Sequence, residues 1–244
     1  MWIKFCGATR VEDAVAVVQS GADALGLNFY PGSRRFVSTA LAANLAEAAR
    51  TAAAIPRSQA VSQPACLITG VFVNATPSHV ETIARAVRLD AVQLHGDEDR
   101  DTIQEIRRLL PQTLLIRALR ASVDRLPELL AAIDMLQQTT LTDALLLDAF
   151  VPGSFGGTGA RIDASVVAAC QQKTTLPLIL AGGLDPENIA TAIHSCRPFG
   201  VDTAGGIETQ PGHKDPEKMR RFVAAARSAA NHPVRTVLTR QPER

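Results

Sequence analysis

The hydrophobic positions of this chain gather into short, nearly continuous runs. They are WIKF at 2–5, ALGLN at 24–28, ITGVFVN at 68–74, AVQL at 91–94, LLIRAL at 114–119, ALLLD at 144–148, LILAG at 178–182 and GVDTA at 200–204. Runs of this length with few interruptions suit β-strands buried on both faces. Between them apolar residues recur with helical spacing, at 11–20, 39–53, 77–88, 99–109, 123–136, 163–172, 186–194 and 215–229. Thr76-Pro77, Asp185-Pro186 and Asp215-Pro216 each set a capping residue before a proline at a first helical position.

Eight strand–helix pairs with no run of unpaired strands imply a parallel sheet. In 244 residues, eight such units favour closure into a single (β/α)8 TIM barrel of the α/β class over an open, doubly wound sheet. The first strand is followed by GATRVE, which lacks the GxGxxG of a dinucleotide fold. The barrel is expected to occupy residues 1–230. The polar stretch 231–244, with two prolines and three arginines, is expected to be a flexible tail. Segments 53–66 and 137–143 join helices to strands on the face opposite the expected site and are assigned no chemistry.

In such barrels the site is built at the C-terminal ends of the strands. Here those ends carry Cys6, Asn28, Asn74, His95, Asp148, Gly182-Gly183 and Asp202, while the fifth strand offers only Arg117 nearby. A polar residue or glycine closing almost every run argues for one shared pocket. The loop 28–38 adds Arg34 and Arg35, whose guanidinium groups suit bidentate contact with a carboxylate or phosphate. The loop 149–161 holds four glycines and reads as a mobile lid or as backbone lying close to a ligand. After the seventh and eighth strands, Gly182-Gly183 and Gly205-Gly206 precede helix starts, where exposed N–H groups bind phosphate. The substrate is therefore expected to be a phosphorylated small molecule.

Charge narrows the choice of partner. With 25 basic and 24 acidic residues the net charge is +1, which gives no general attraction for nucleic acid or a membrane surface. No apolar run reaches the roughly 18 residues of a membrane span, and no basic-then-apolar leader opens the chain. The four cysteines, Cys6, Cys66, Cys170 and Cys196, form no CxxC pair and have no histidine cluster beside them, so no metal site is expected. These features point to a reduced, cytoplasmic protein, a monomer or homodimer. Cys66, Cys170 and Cys196 read as small core residues; Cys6, at a strand end, is the thiol with a chance of chemistry.

Taken in order, several segments resemble phosphoribosylanthranilate isomerase of tryptophan biosynthesis. They are KFCGATR at 4–10, GADALGLNFYPGSRRFVS at 21–38, GVFVN at 70–74, VQLHGDE at 92–98, LLLDAF and GGTG within 145–159, AGGLDPENI at 181–189, and VDTAGGIE followed by PGHKD at 201–215. The resemblance runs from about residue 3 to 225 and implies a (β/α)8 barrel. It also implies an Amadori rearrangement, without cofactor or metal. N-(5'-phosphoribosyl)anthranilate, an aminoaldose, becomes 1-(o-carboxyphenylamino)-1-deoxyribulose 5-phosphate. By the same resemblance Cys6 is the general base, Asp148 the general acid and Arg35 the contact for the anthranilate carboxylate. Asp202 and His95 align with further site residues; Asp202 suits orientation of its neighbours, and His95 either ligand contact or bracing of its strand end.

A thiol serves as a base only when partly ionised, so the polar mouth and nearby helix starts are expected to favour the Cys6 thiolate. An acid must hold its proton near neutrality, so Asp148 is expected to be less exposed than a surface aspartate. Two departures stand out: Ala204 and Gly205 replace serines common in the strand-eight loop, and Asn28 replaces an aliphatic residue. The rivals are the related isomerase of histidine biosynthesis, which uses two aspartates, indole-glycerol-phosphate synthase, which needs a strand lysine, and a silent phosphate-binding barrel.

Overall fold

The computed structural model describes residues 1–54, 66–139, 141–149, 161–230 and 237–240. Eight strands alternate with eight helices in chain order: β1 Trp2–Cys6, α1 Val11–Ser20, β2 Ala24–Asn28, α2 Thr39–Ala54, β3 Leu67–Phe72, α3 Pro77–Val87, β4 Ala91–Leu94 and α4 Arg100–Leu109. They continue with β5 Leu114–Ala121, α5 Leu126–Thr139, β6 Ala144–Ala149, α6 Ala164–Lys173, β7 Leu178–Leu180, α7 Ile189–Cys196 and β8 Gly200–Thr203. A small hairpin, β9 Glu208–Gln210 and β10 His213–Lys214, precedes α8 Pro216–Ala229. Strands β1 to β8 pair in order, all parallel, and β8 pairs back with β1, closing the barrel. The expected (β/α)8 barrel is therefore the fold.

Strand alternation divides the side chains into two cores. On β1, Ile3 and Phe5 pack toward the helices, Phe5 meeting Phe222 of α8 edge-on at 5.4 Å between ring centroids. Trp2, Lys4 and Cys6 alternate with them and face the barrel interior. The apolar filling of that interior comes from Trp2, Ala24, Ile116, Ala144, Leu146 and Ile179, among others. Leu238, from the stretch after α8, is 3% exposed and belongs to the same interior cluster. Residues 231–236 and 241–244 of the expected tail, and most of the expected lid at 149–161, lie outside the described residues.

Local chemistry explains most boundaries. Thr76 and Asp215 cap α3 and α8 by accepting backbone N–H bonds, each with proline next in line. Asp185-Pro186 does not start α7 as expected: Asp185 instead accepts from the N–H groups of Glu187 and Asn188, forming a separate turn, and the helix begins at Ile189. The helix expected at 123–136 opens as a 3-10 turn over Val123–Arg125 before α5 begins at Leu126. The β9–β10 hairpin was absent from the sequence reading, its strands being too short to show a period.

Candidate active site

A cavity of about 710 Å³ opens at the C-terminal end of the barrel, within the roughly 300–1,000 Å³ usual for small-ligand sites. Most residues singled out from the sequence for the site line it: Cys6, Arg35, His95, Asp148 and Asp202, and the loops at Gly182-Gly183 and Gly205-Gly206. Asn28 and Arg34 join them. Two other strand-end candidates, Asn74 and Arg117, do not line this cavity. Asn74 sits in the left-handed region (φ 51°), and its Oδ1 accepts the Asp97 N–H at 2.7 Å. Arg117 donates to Leu94 O, Gly96 O and Glu98 Oε2, the last at 2.6 Å, and so braces the turn after β4. Proximity to a strand end did not reveal where these side chains point.

The two glycine loops meet closely. Gly182 and Gly183 have φ of 89° and 59°, which ends β7. A Cβ on Gly206 would lie 1.9 Å from Leu184 O, so the approach of the seventh and eighth loops needs glycine there. Ala204 and Gly205 contribute no hydroxyl to this rim, leaving its backbone. Asn28 acts locally: its Oδ1 accepts the Tyr30 N–H at 2.9 Å and shapes the start of the loop carrying Arg35.

The side chains form three linked groups. First, Lys4 Nζ donates to Asp202 Oδ1 at 2.9 Å directly beneath Cys6; Lys4 and Asp202 are register partners across β1 and β8. Second, Glu208 binds Arg35 through two parallel hydrogen bonds, 2.8 and 2.7 Å, and also accepts from Lys214 Nζ at 2.8 Å. Lys214 Nζ further donates to Cys6 O at 2.6 Å and Ala204 O at 3.0 Å. Third, Gln93 donates its amide to His95 Nδ1 at 2.9 Å. The other ring nitrogen, Nε2, faces Asp148 Oδ2 at 3.4 Å. Asp148 Oδ1 accepts the Ala149 N–H at 2.9 Å, and Asp148 is 6% exposed, the low exposure its sequence role called for.

Electrostatics correct one expectation. Burial pushes the Cys6 thiol above its ordinary pKa, Asp202 adds to the rise, and Lys4 and Lys214 oppose it without cancelling it. The polar mouth does not by itself make a thiolate; the buried ammonium groups of Lys4 and Lys214 work toward one. Glu208 is held below the usual carboxylate range: burial raises it, but Arg35 and Lys214 outweigh burial. The other cysteines are buried as expected, and burial alone pushes Cys170 up to about 11. The sequence reading missed Lys4, Gln93, Glu208 and Lys214. The signal for Lys4 was a charge inside a run otherwise suited to a strand buried on both faces, two residues before the thiol.

Fold and mouth together define a (β/α)8-barrel protein that presents a thiol, a carboxyl group, an arginine and two glycine loops to one cavity. The family model of N-(5'-phosphoribosyl)anthranilate (PRA) isomerase matches residues 3–225. The N-(5'-phosphoribosyl)anthranilate isomerase of Myxococcus xanthus is 41% identical over 231 residues, covering 93% of this chain and 96% of that protein. The crystal structure of phosphoribosyl anthranilate isomerase from Thermotoga maritima is similar with a TM-score of 0.76 at 34% identity, over 93% of this chain and 99% of that one. Another isomerase structure, in complex with reduced 1-(o-carboxyphenylamino)-1-deoxyribulose 5-phosphate, gives a TM-score of 0.73 at 34% identity with the same coverage. This chain belongs to the N-(5'-phosphoribosyl)anthranilate isomerase family.

Proposed function

We propose that the protein converts N-(5'-phosphoribosyl)anthranilate to 1-(o-carboxyphenylamino)-1-deoxyribulose 5-phosphate, with Asp148 as general acid and Cys6 as general base. The observation that carries this reading is that a thiol on β1 and a carboxyl group on β6, 142 residues apart in sequence (148 − 6), line one cavity with an arginine and two glycine loops. The phosphate is held by backbone N–H groups of the loops at Gly182-Gly183 and Gly205-Gly206. Arg35 meets the anthranilate carboxylate. Its Nε and Nη2 are engaged by Glu208, so the Nη1 side of the guanidinium is the part turned to substrate.

In the reaction, Asp148 gives its proton to the furanose ring oxygen. The bond from that oxygen to C1' breaks as the nitrogen lone pair forms the Schiff base. The Cys6 thiolate then removes the C2' proton, and the electrons of that bond give the enolamine. Tautomerisation moves a proton from the C2' hydroxyl, by way of solvent, to C1' and leaves the ketone at C2'. Cys6 is left protonated and Asp148 ionised, and one proton exchanged with solvent resets the pair. His95, whose Nε2 lies 3.4 Å from Asp148 Oδ2, steadies Asp148 between turnovers. Asp202 orients the β1–β8 side of the cavity through Lys4.

The test is growth. Expression in a tryptophan auxotroph lacking this isomerase is expected to restore growth without tryptophan, and expression in the matching histidine-pathway isomerase auxotroph is not. Failure in the first strain with soluble protein present overturns the proposal.

A further inference from the structure

Two lysines lie buried around Cys6: Lys4 is 0% exposed and Lys214 3%. Lys214 is fully occupied, its three ammonium donors matched by Cys6 O, Ala204 O and Glu208 Oε1. It fastens the β9–β10 hairpin to the top of β1. Lys4 differs. Among the described residues its Nζ has one oxygen acceptor, Asp202 Oδ1 at 2.9 Å. It sits two residues before Cys6 on the same interior face of β1, and it does not line the cavity. A buried ion pair adds little stability over an apolar pair of similar size, and the interior around its base is otherwise apolar. A fully buried cation under a thiol therefore calls for a use other than stability.

We propose that Lys4 is a positioning residue of the isomerisation: its buried ammonium, shared between the Asp202 carboxylate and the Cys6 sulfur, holds the thiolate form of Cys6 at the floor of the cavity. The proposal rests on the reading of Cys6 as the base. Four charged groups act on the thiol. They are Lys4 from its own strand, Asp202 from β8, Lys214 from β10 and Arg35 from the loop after β2. Lys214 and Arg35 are both committed to Glu208, whereas Lys4 keeps donors free for the sulfur. The charges agree with the geometry. Lys4 is the strongest influence opposing burial at Cys6. Its own pKa stays above the ordinary lysine value, because Asp202 and Cys6 together outweigh burial. When Cys6 takes the C2' proton, the ammonium keeps Asp202 as partner, so no buried charge is stranded.

The test uses the full chain with Lys4→Met, Lys4→Arg and the double variant Lys4→Met/Asp202→Asn. Folding is checked by circular dichroism. Alkylation of Cys6 by iodoacetamide is followed against pH and located by peptide mapping; kcat and KM for phosphoribosylanthranilate are measured over the same range. In Lys4→Met, the alkylation midpoint and the acid limb of kcat are expected to move up by about one pH unit or more, with KM little changed. Lys4→Arg, which keeps the cation, is expected to reverse most of that shift. A folded Lys4→Met with both curves in place overturns the proposal. Should Lys4→Met fail to fold, the double variant carries the measurement: its alkylation midpoint must still exceed that of the wild type, and a midpoint at or below it overturns the proposal. Alkylation needs no substrate. Wild-type turnover with unmoved curves therefore removes Lys4 alone, while an absence of wild-type turnover removes the reaction.

Discussion

The two ends of the barrel interior are built from the same strands and differ in almost nothing but side-chain chemistry. At the base Trp2, Ala24, Ala144 and Leu238 form a dry apolar plug. Two to four residues further along the same strands stand Lys4, Cys6 and Asp148, buried nearly as deeply but bearing an ammonium, a thiol and a carboxyl group. β1 shows the contrast within five residues: the indole of Trp2, the ammonium of Lys4 and the thiol of Cys6. One period-two pattern fixes all three side chains inward, and height along the strand decides which task each performs. An apolar layer and a polar, thiol-bearing layer thus share one interior, and each can be altered by its own substitutions.

The sharpest way to break the comparison is at the top. Cys6→Ala and Asp148→Ala are each expected to lower kcat by about two orders of magnitude or more, with the melting temperature little changed. Steady-state assays beside thermal denaturation check both parts; full activity in Cys6→Ala would remove the thiol from the base role. The complementary change is at the base. Trp2, 1% exposed, replaced by alanine should cost about 3–5 kcal/mol of stability, measured by denaturant titration, while kcat per folded molecule stays near that of the wild type. A loss of kcat in the folded fraction would show that the layers are coupled. The smallest effect is expected at the rim: Arg35→Ala should raise KM about tenfold with kcat nearly unchanged, the signature of lost uniform binding. An unmoved KM would place the anthranilate end elsewhere.

The apolar base and the strand order were legible in the sequence because a strand buried on both faces leaves a continuous apolar run, as LLLD on β6 does. The mouth was legible as a set of residue types closing those runs, and Cys6, Asp148, Arg35, His95 and Asp202 do meet in one cavity. Direction was not legible. Asn74 and Arg117 end near the same rim yet turn to the braces around Glu98, because a left-handed residue and a long side chain escape the simple alternation. Nor was the setting of the thiol. Its neighbours Asp202 and Lys214 come from β8 and a two-residue strand, contacts that only closure of the barrel creates.

The link between Lys4 and Asp202 spans 198 positions of chain and joins the first strand of the ring to the last. A polypeptide still emerging from the ribosome therefore cannot assemble it. Until the eighth strand arrives, the lysine lacks its Asp202 counter-ion. The Lys4–Asp202 bond is consequently a mark of the finished ring, absent from every shorter intermediate however much helix and sheet it has already formed.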